Sequence, residues 1–132
     1  MDALATGKTV ALPKYDRDKG HYGAAVIKDL AELETGHFRI LEPQSHCAPL
    51  PLNRLDFMLV PGVAFDWNGR RLGRGRGYYD RLLAEFHGWT CGVAFDEQIV
   101  EAVPGEPHDM RLTCLVTPTR WQIFNKPRSV LK

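Results

Sequence analysis

Apolar and polar positions alternate along this chain in short blocks, and each block predicts one element. Residues 9–13 (TVALP) predict a strand that ends at Pro13, and residues 24–28 (AAVIK) predict a second. The stretch 29–36, DLAELETG, has helical spacing and stops at Gly36. Prolines at 43, 49 and 51 make 42–54 a predicted loop. Residues 55–62, LDFMLVPG, form a near-continuous apolar run of the kind buried on both faces of a parallel sheet. A long connection follows, with a turn predicted at Asn68-Gly69. Tyr78 to His87 is predicted helical, with Leu82, Leu83 and Phe86 on one side. TCGVAF (90–95) and LTCLVTP (112–118) read as further strands. Between them lie a short helix or turn over 96–103 and a proline-containing loop over 104–110.

Strands alternating with helices argue for an α/β fold: a mostly parallel sheet with helices on both faces and right-handed crossovers. Ligands of such sheets bind beyond the carboxyl ends of the strands, where the loops at 62–77 and 104–110 are expected to fall. A length of 132 residues fits a single domain, 1–132, and 44% hydrophobic with 25% charged residues is ordinary for a soluble globular protein. A net charge of +1 creates no strong overall field, so neither nucleic acid nor a membrane surface is an expected partner. No apolar run is long enough to span a bilayer, and the N-terminus lacks the basic start and apolar stretch of a signal peptide. Cys47, Cys91 and Cys114 form no C-x-x-C pair, so neither a disulfide framework nor a zinc site is predicted. They read as small buried hydrophobes in a reducing compartment, which makes the cytoplasm the expected location.

The chemistry concentrates in residues 69–80, GRRLGRGRGYYD. Gly69, Gly73, Gly75 and Gly77 alternate with Arg70, Arg71, Arg74 and Arg76, and a helix pattern begins at once. Glycine lets a ligand approach bare backbone. A glycine-rich turn opening a helix aims unpaired N–H groups at one spot. Arginine adds charge and bidentate donors that fit phosphate oxygens. The run therefore reads as a polyphosphate cradle, with a nucleotide as its guest. A solvated surface loop and an RNA-binding Gly-Arg segment share this composition. The apolar strand before the run and the helix after it favour an ordered site.

Four other features bear on the same site. Asp80, near the helix start, either complements the macrodipole or, beside a polyphosphate, holds Mg²⁺. Glu106, His108 and Asp109 crowd one loop; it is either a polar surface turn or, beside the cradle, a source of a second Mg²⁺ ligand in Asp109 and an acid or base in His108. Tyr78 and Tyr79 point about 100° apart on a helix, so one packs inward and the other is free to meet a ligand. Asp66 and Asp96 share a VAFD frame and read as loop-initiating residues.

With these residues in view, the chain resembles the 5-formyltetrahydrofolate cyclo-ligase (methenyltetrahydrofolate synthetase) family. The resemblance rests on LDFMLVPGVAFDWNGRRLGRGRGYYDRLL and GVAFDEQIVEAVPGEPHDM, and extends to GKTVALPK and FRILEP. It implies an ATP- and Mg²⁺-dependent conversion of 5-formyltetrahydrofolate to 5,10-methenyltetrahydrofolate, with release of ADP and phosphate. It implies an ATP site formed by Arg71, Leu72, Gly73, Arg74, Gly75, Arg76, Gly77, Tyr78 and Tyr79. Arg74 and Arg76 would stabilise the transferred phosphoryl group. Asp80 and Asp109 would hold the metal. Residues 74–78 and Phe38 would approach the folate. The implied fold is akin to the sugar-phosphate isomerase and CoA-transferase group.

The match corresponds to the C-terminal two-thirds of a family member. The family carries a further helical region ahead of GKTVALP, with a lysine and an arginine for the ATP phosphates and a glutamate for the pterin. Its lack predicts uncovered apolar sheet surface and a tendency to homo-oligomerise. Thr113 stands where relatives often have aspartate. Three readings follow: a cyclo-ligase, a truncated and inactive nucleotide-binding relative, and an RNA-binding module.

Overall fold

The computed structural model describes residues 2–36, 39–73, 78–105, 110–125 and 127. These form two compact units, residues 1–54 and 55–132.

In the first unit a short helix α1 (Asp2–Ala5) precedes strands β1 (Val10–Asp16) and β2 (His21–Ile27). The two strands form an antiparallel hairpin from Val10↔Ile27 to Asp16↔His21, where a parallel arrangement was expected. The reason is local. Asp16 Oδ1 accepts from the amides of Asp18 and Lys19 at 2.9 and 3.1 Å, and Gly20 takes φ +70°, which closes the chain back on itself. Pro13 lies inside β1 instead of ending it, because β1 is an edge strand whose missing N–H costs no ladder bond.

The helix expected over 29–36 is a single 3-10 turn, Leu30–Glu32, followed by β3 (Leu33–Thr35). A capping box between Asp29 and Glu32 starts the turn, but eight residues are too few to sustain a helix against strand pairing. The predicted loop at 42–54 also holds structure. β4 (Leu41–Pro43) pairs antiparallel with β3, β5 (Pro49–Leu50) pairs with β2, and Leu52–Arg54 is a 3-10 turn. The core of this unit is Ala25, Ile27 and Cys47, with Leu4, Val10, Leu12 and Leu33 against it.

The second unit has the expected parallel element. It contains β6 (Phe57–Val60), the hairpin β7 (Ala64–Phe65) and β8 (Arg71–Leu72), helix α2 (Tyr78–Glu85), β9 (Trp89–Val93), β10 (Cys114–Val116) and β11 (Trp121–Ile123). Its sheet runs β11-β10-β9-β6. The pairs β6–β9 and β9–β10 are parallel, and β10–β11 is antiparallel. The architecture is thus α/β with mixed sheets rather than mostly parallel. Among the described residues α2 is the one α-helix of this unit, beside a 3-10 turn at Asp96–Gln98, so the expected helices on both faces are not seen.

The two faces of the sheet differ. Val60, Gly92 and Leu115 share one row in register, and Val60 and Leu115 are buried with Phe65, Leu83, Ala94 and Leu112. A Cβ on Gly92 would lie 2.8 Å from both Leu112 and Phe65, so glycine is what allows this close approach. On the opposite face, Leu59, Cys91, Cys114 and Ile123 form one row, and Val93, Val116 and Trp121 another. Leu59, Ile123, Val93 and Trp121, with Phe57, are each at least half exposed, Trp121 at 71%. The run 55–62 is therefore covered on one side only, contrary to its apolar pattern.

Among the described residues no helix is long and apolar enough to cross a membrane.

Candidate functional site

The carboxyl ends of β6, β9 and β10 lie at one edge of the sheet, and the chain beyond β6 is stitched to that edge. Asp66 is the main fastener. Its carboxylate is buried to 1% exposure. Oδ1 accepts from the amides of Asn68 and Arg70 at 2.9 and 3.1 Å, and Oδ2 from Val103 at 2.8 Å. One side chain thus shapes the turn between β7 and β8 and ties it to the VP segment at 103–104. This fulfils and exceeds its expected role as a loop-initiating residue. The predicted turn at Asn68-Gly69 is present, with Gly69 at φ +85°. The Gly69 carbonyl accepts from Leu112 at 2.8 Å, and a Cβ there would lie 3.1 Å from the Leu112 carbonyl.

Gln98 is a second fastener, one that sequence reasoning passed over. Its amide nitrogen donates to the carbonyls of Gly62 and Val63 at 3.0 and 3.3 Å, and its oxygen accepts from the Phe95 amide at 2.9 Å. The AFDEQ setting was the available signal, since a polar residue three after Phe95, the end of the predicted strand, is well placed to reach back. Asp96 accepts from the Thr119 hydroxyl at 2.8 Å. Thr113 exchanges hydrogen bonds with Thr90: its hydroxyl donates to the Thr90 carbonyl and accepts from the Thr90 amide, both at 2.8 Å. It closes the sheet interior locally, and both threonines are buried.

Arg71 is a described cation near the start of the Gly-Arg run. Its side chain is 8% exposed although it ends in a guanidinium. Nε donates to the Pro61 carbonyl at 2.6 Å, Nη1 to Asp80 Oδ1 at 3.0 Å, and Cζ lies 5.5 Å from the centre of the Tyr79 ring. A Cβ on Gly73 would lie 3.0 Å from Arg71 Nη2, so a bare glycine leaves room for the guanidinium. Three fixed contacts hold one positive charge at the sheet edge. Burial raises the Tyr79 phenol above its usual range, and Arg71 opposes that shift in part. Tyr79 packs against the core, so this tyrosine faces inward.

The site residues expected from sequence divide as follows. Arg71 and Leu72 lie in β8, Gly73 follows it, and Tyr78, Tyr79 and Asp80 open α2. Arg71 contacts both Tyr79 and Asp80, with the Asp80 side chain 74% exposed. Arg74, Gly75, Arg76, Gly77, Phe38 and Asp109, with Glu106 and His108, lie outside the described residues. Of the cysteines, Cys47 and Cys91 are buried and Cys114 is partly so.

The profile of the 5-formyltetrahydrofolate cyclo-ligase family matches residues 1–118. The Escherichia coli K12 5-formyltetrahydrofolate cyclo-ligase is 41% identical over 97 residues, covering 70% of this chain and 53% of that protein. The mouse 5-formyltetrahydrofolate cyclo-ligase is 32% identical over 123 residues, covering 84% and 61%. The solved structure of Aquifex aeolicus 5,10-methenyltetrahydrofolate synthetase aligns with a TM-score of 0.82 at 35% identity, covering 99% of this chain and 66% of that one. The chain thus spans between about half and two-thirds of the length of these relatives.

Proposed function

Because the chain belongs to the 5-formyltetrahydrofolate cyclo-ligase family, we propose that it carries the nucleotide-handling portion of an enzyme that uses ATP and Mg²⁺ to convert 5-formyltetrahydrofolate to 5,10-methenyltetrahydrofolate, releasing ADP and phosphate. The supporting observation is the buried Arg71 guanidinium, fixed at the carboxyl edge of the parallel strands where the Gly-Arg run begins.

In this reading the amides of Gly73, Gly75 and Gly77 bind phosphate oxygens, and Leu72, Tyr78 and Tyr79 complete the ATP site with Arg71. Arg74 and Arg76 stabilise charge on the transferred phosphoryl group by position and electrostatics. The formyl oxygen attacks the γ-phosphorus and ADP departs. The neighbouring ring nitrogen then closes on the activated carbon, and phosphate leaves with the former formyl oxygen. Residues 74–78 and Phe38 approach the folate. Asp80 is a hard oxygen donor with most of its surface open, which suits Mg²⁺; Asp109 is the second ligand in this proposal. The ion supplies neutralisation of phosphate charge, and coordination at Asp80 would share or replace its contact with Arg71.

The test is an absorbance assay for the methenyl product with the whole chain, ATP, Mg²⁺ and 5-formyltetrahydrofolate, alongside Asp80→Ala and a melting curve of each. Product from the native chain and at least a tenfold loss in Asp80→Ala support the reading (about 1.4 kcal/mol in the barrier). Silence in both, with ATP still bound, replaces the enzyme reading with that of a nucleotide-binding relative.

A further inference from the structure

Glutamate, histidine and cysteine meet at one point in the first unit, on residues that the proposed folate chemistry does not use. Among the described residues, Glu32, His46 and Cys47 offer a carboxylate oxygen, an imidazole nitrogen and a thiol sulfur that all lie within 4.8 Å of one another. We propose that these three side chains bind a divalent transition metal, zinc by the chemistry of the donors, with one coordination position left to water.

Backbone bonds build this arrangement. Glu32 Oε1 accepts from the amides of Lys28 and Asp29 at 2.7 and 3.1 Å. Its other oxygen, Oε2, therefore turns toward His46 Nε2 at 2.9 Å and Cys47 Sγ at 3.6 Å. The turn that carries His46 and Cys47 is pinned at several points. The Gln44 amide donates to the Glu32 carbonyl at 2.8 Å, the Cys47 amide to Gln44 at 3.0 Å, and the Val26 amide to Ala48 at 2.9 Å. The three donors are thus gathered by the fold itself.

The two separations from Glu32, 2.9 and 3.6 Å, lie near those around a tetrahedral ion, and the His46 and Cys47 donor atoms are within 4.8 Å of each other. Bonds of about 2.0–2.3 Å place neighbouring donors about 3.4–3.6 Å apart. The sulfur–oxygen separation already has that value. His46 must withdraw from Glu32 by about half an ångström, which its exposed side chain allows. Cys47 is buried, so the sulfur is sheltered from competing water. Sulfur with imidazole selects zinc-like ions over Mg²⁺ or Ca²⁺. The thiol releases its proton to solvent on coordination. Burial, and then the Glu32 carboxylate, raise the Cys47 thiol above its usual range; Lys14, whose ammonium donates to the Pro43 carbonyl at 3.0 Å, opposes that more weakly.

Cobalt(II) alone, titrated into the metal-free whole chain, is the probe. The expected result is one bound ion per chain, tetrahedral d–d bands and a near-ultraviolet thiolate-to-cobalt band, all abolished by added zinc. Cys47→Ser removes the thiolate band. His46→Ala, at an exposed position, weakens cobalt binding by at least about tenfold while the metal-free melting temperature stays the same. Absence of the thiolate band in the native chain overturns the proposal. So does its persistence in Cys47→Ser, which would place the metal on Cys91 or Cys114, or an unchanged affinity in His46→Ala.

Discussion

Replacing Asp66 by alanine tests whether one buried carboxylate holds the chain around the candidate site. The substitution strips acceptors from three amides: those of Asn68 and Arg70 at Oδ1, and that of Val103 at Oδ2. Hydrogen bonds to a charged group contribute about 1.5–3 kcal/mol each, which would sum to about 4.5–9 kcal/mol if all three were lost without compensation. The Asn68 and Arg70 amides are part-buried and can regain water, whereas that of Val103 is buried. The expected loss is therefore about 3–5 kcal/mol, a large share of a typical total of about 5–15 kcal/mol. Asp66→Asn keeps an oxygen for the turn but turns an N–H₂ group toward the Val103 amide, for an intermediate loss of about 1–3 kcal/mol. Urea unfolding followed by tryptophan fluorescence measures this. Trp67 sits next to the turn, with the Arg120 guanidinium 3.9 Å from its ring centre. Amide hydrogen exchange at 68, 70 and 103 localises the effect. If Asp66→Ala unfolds within about 1 kcal/mol of the native chain, or if the Val103 amide exchanges no faster, Asp66 is not the fastener described.

Leu115, fully buried in the second unit, should cost about 2–5 kcal/mol when cut to alanine, read from the urea midpoint. Gly69→Val should destabilise by at least about 1 kcal/mol, because its backbone sits at φ +85° and the new side chain meets the Leu112 carbonyl; Asn at the same site should cost less, since it tolerates positive φ best after glycine. Burial, and then Cys114, push the Cys91 thiol from 9.0 to about 12. Alkylation at pH 8 should find about a thousandfold less thiolate there than at an ordinary cysteine, as read by peptide mass spectrometry. Since the folded value is the higher one, the linked stability is complete below about pH 9 and is lost as pH rises toward 12.

Patterns that depend on one strong local signal were legible in the sequence. Leu82, Leu83 and Phe86 marked the buried side of the helix predicted over 78–87, and all three are buried. Asn68-Gly69 marked its turn, and the apolar runs marked β6, β9 and β10. Pairing partners were not legible. The direction of β2 was decided by the Asp16 turn, and the fate of residues 33–35 by a partner strand at 41–43 that the prolines disguised as loop. Burial of β6 on one face only depends on what lies against the other, which its own residues do not encode. Within the candidate site, the glycines and arginines raised phosphate binding as an expectation, which the proposed function carries forward. The tethers of Asp66, Gln98 and Arg71 stayed hidden, because each reaches carbonyls or amides that carry no sequence signature. The meeting of Glu32, His46 and Cys47 was hidden for a related reason: fourteen positions separate the first two, and none of the usual metal spacings applies.

The Arg71–Asp80 pair joins residues nine positions apart on either side of the Gly-Arg run. Drawing together the ends of a segment that long costs on the order of 2 kcal/mol in chain entropy. Folding meets that cost before any ligand arrives. The two ends are held differently. The Arg71 side chain is 8% exposed and also bonded to the Pro61 carbonyl, whereas Asp80 stands largely in solvent. Rising ionic strength therefore weakens the pair through the exposed Asp80 carboxylate, while Arg71 keeps its bond to the Pro61 carbonyl.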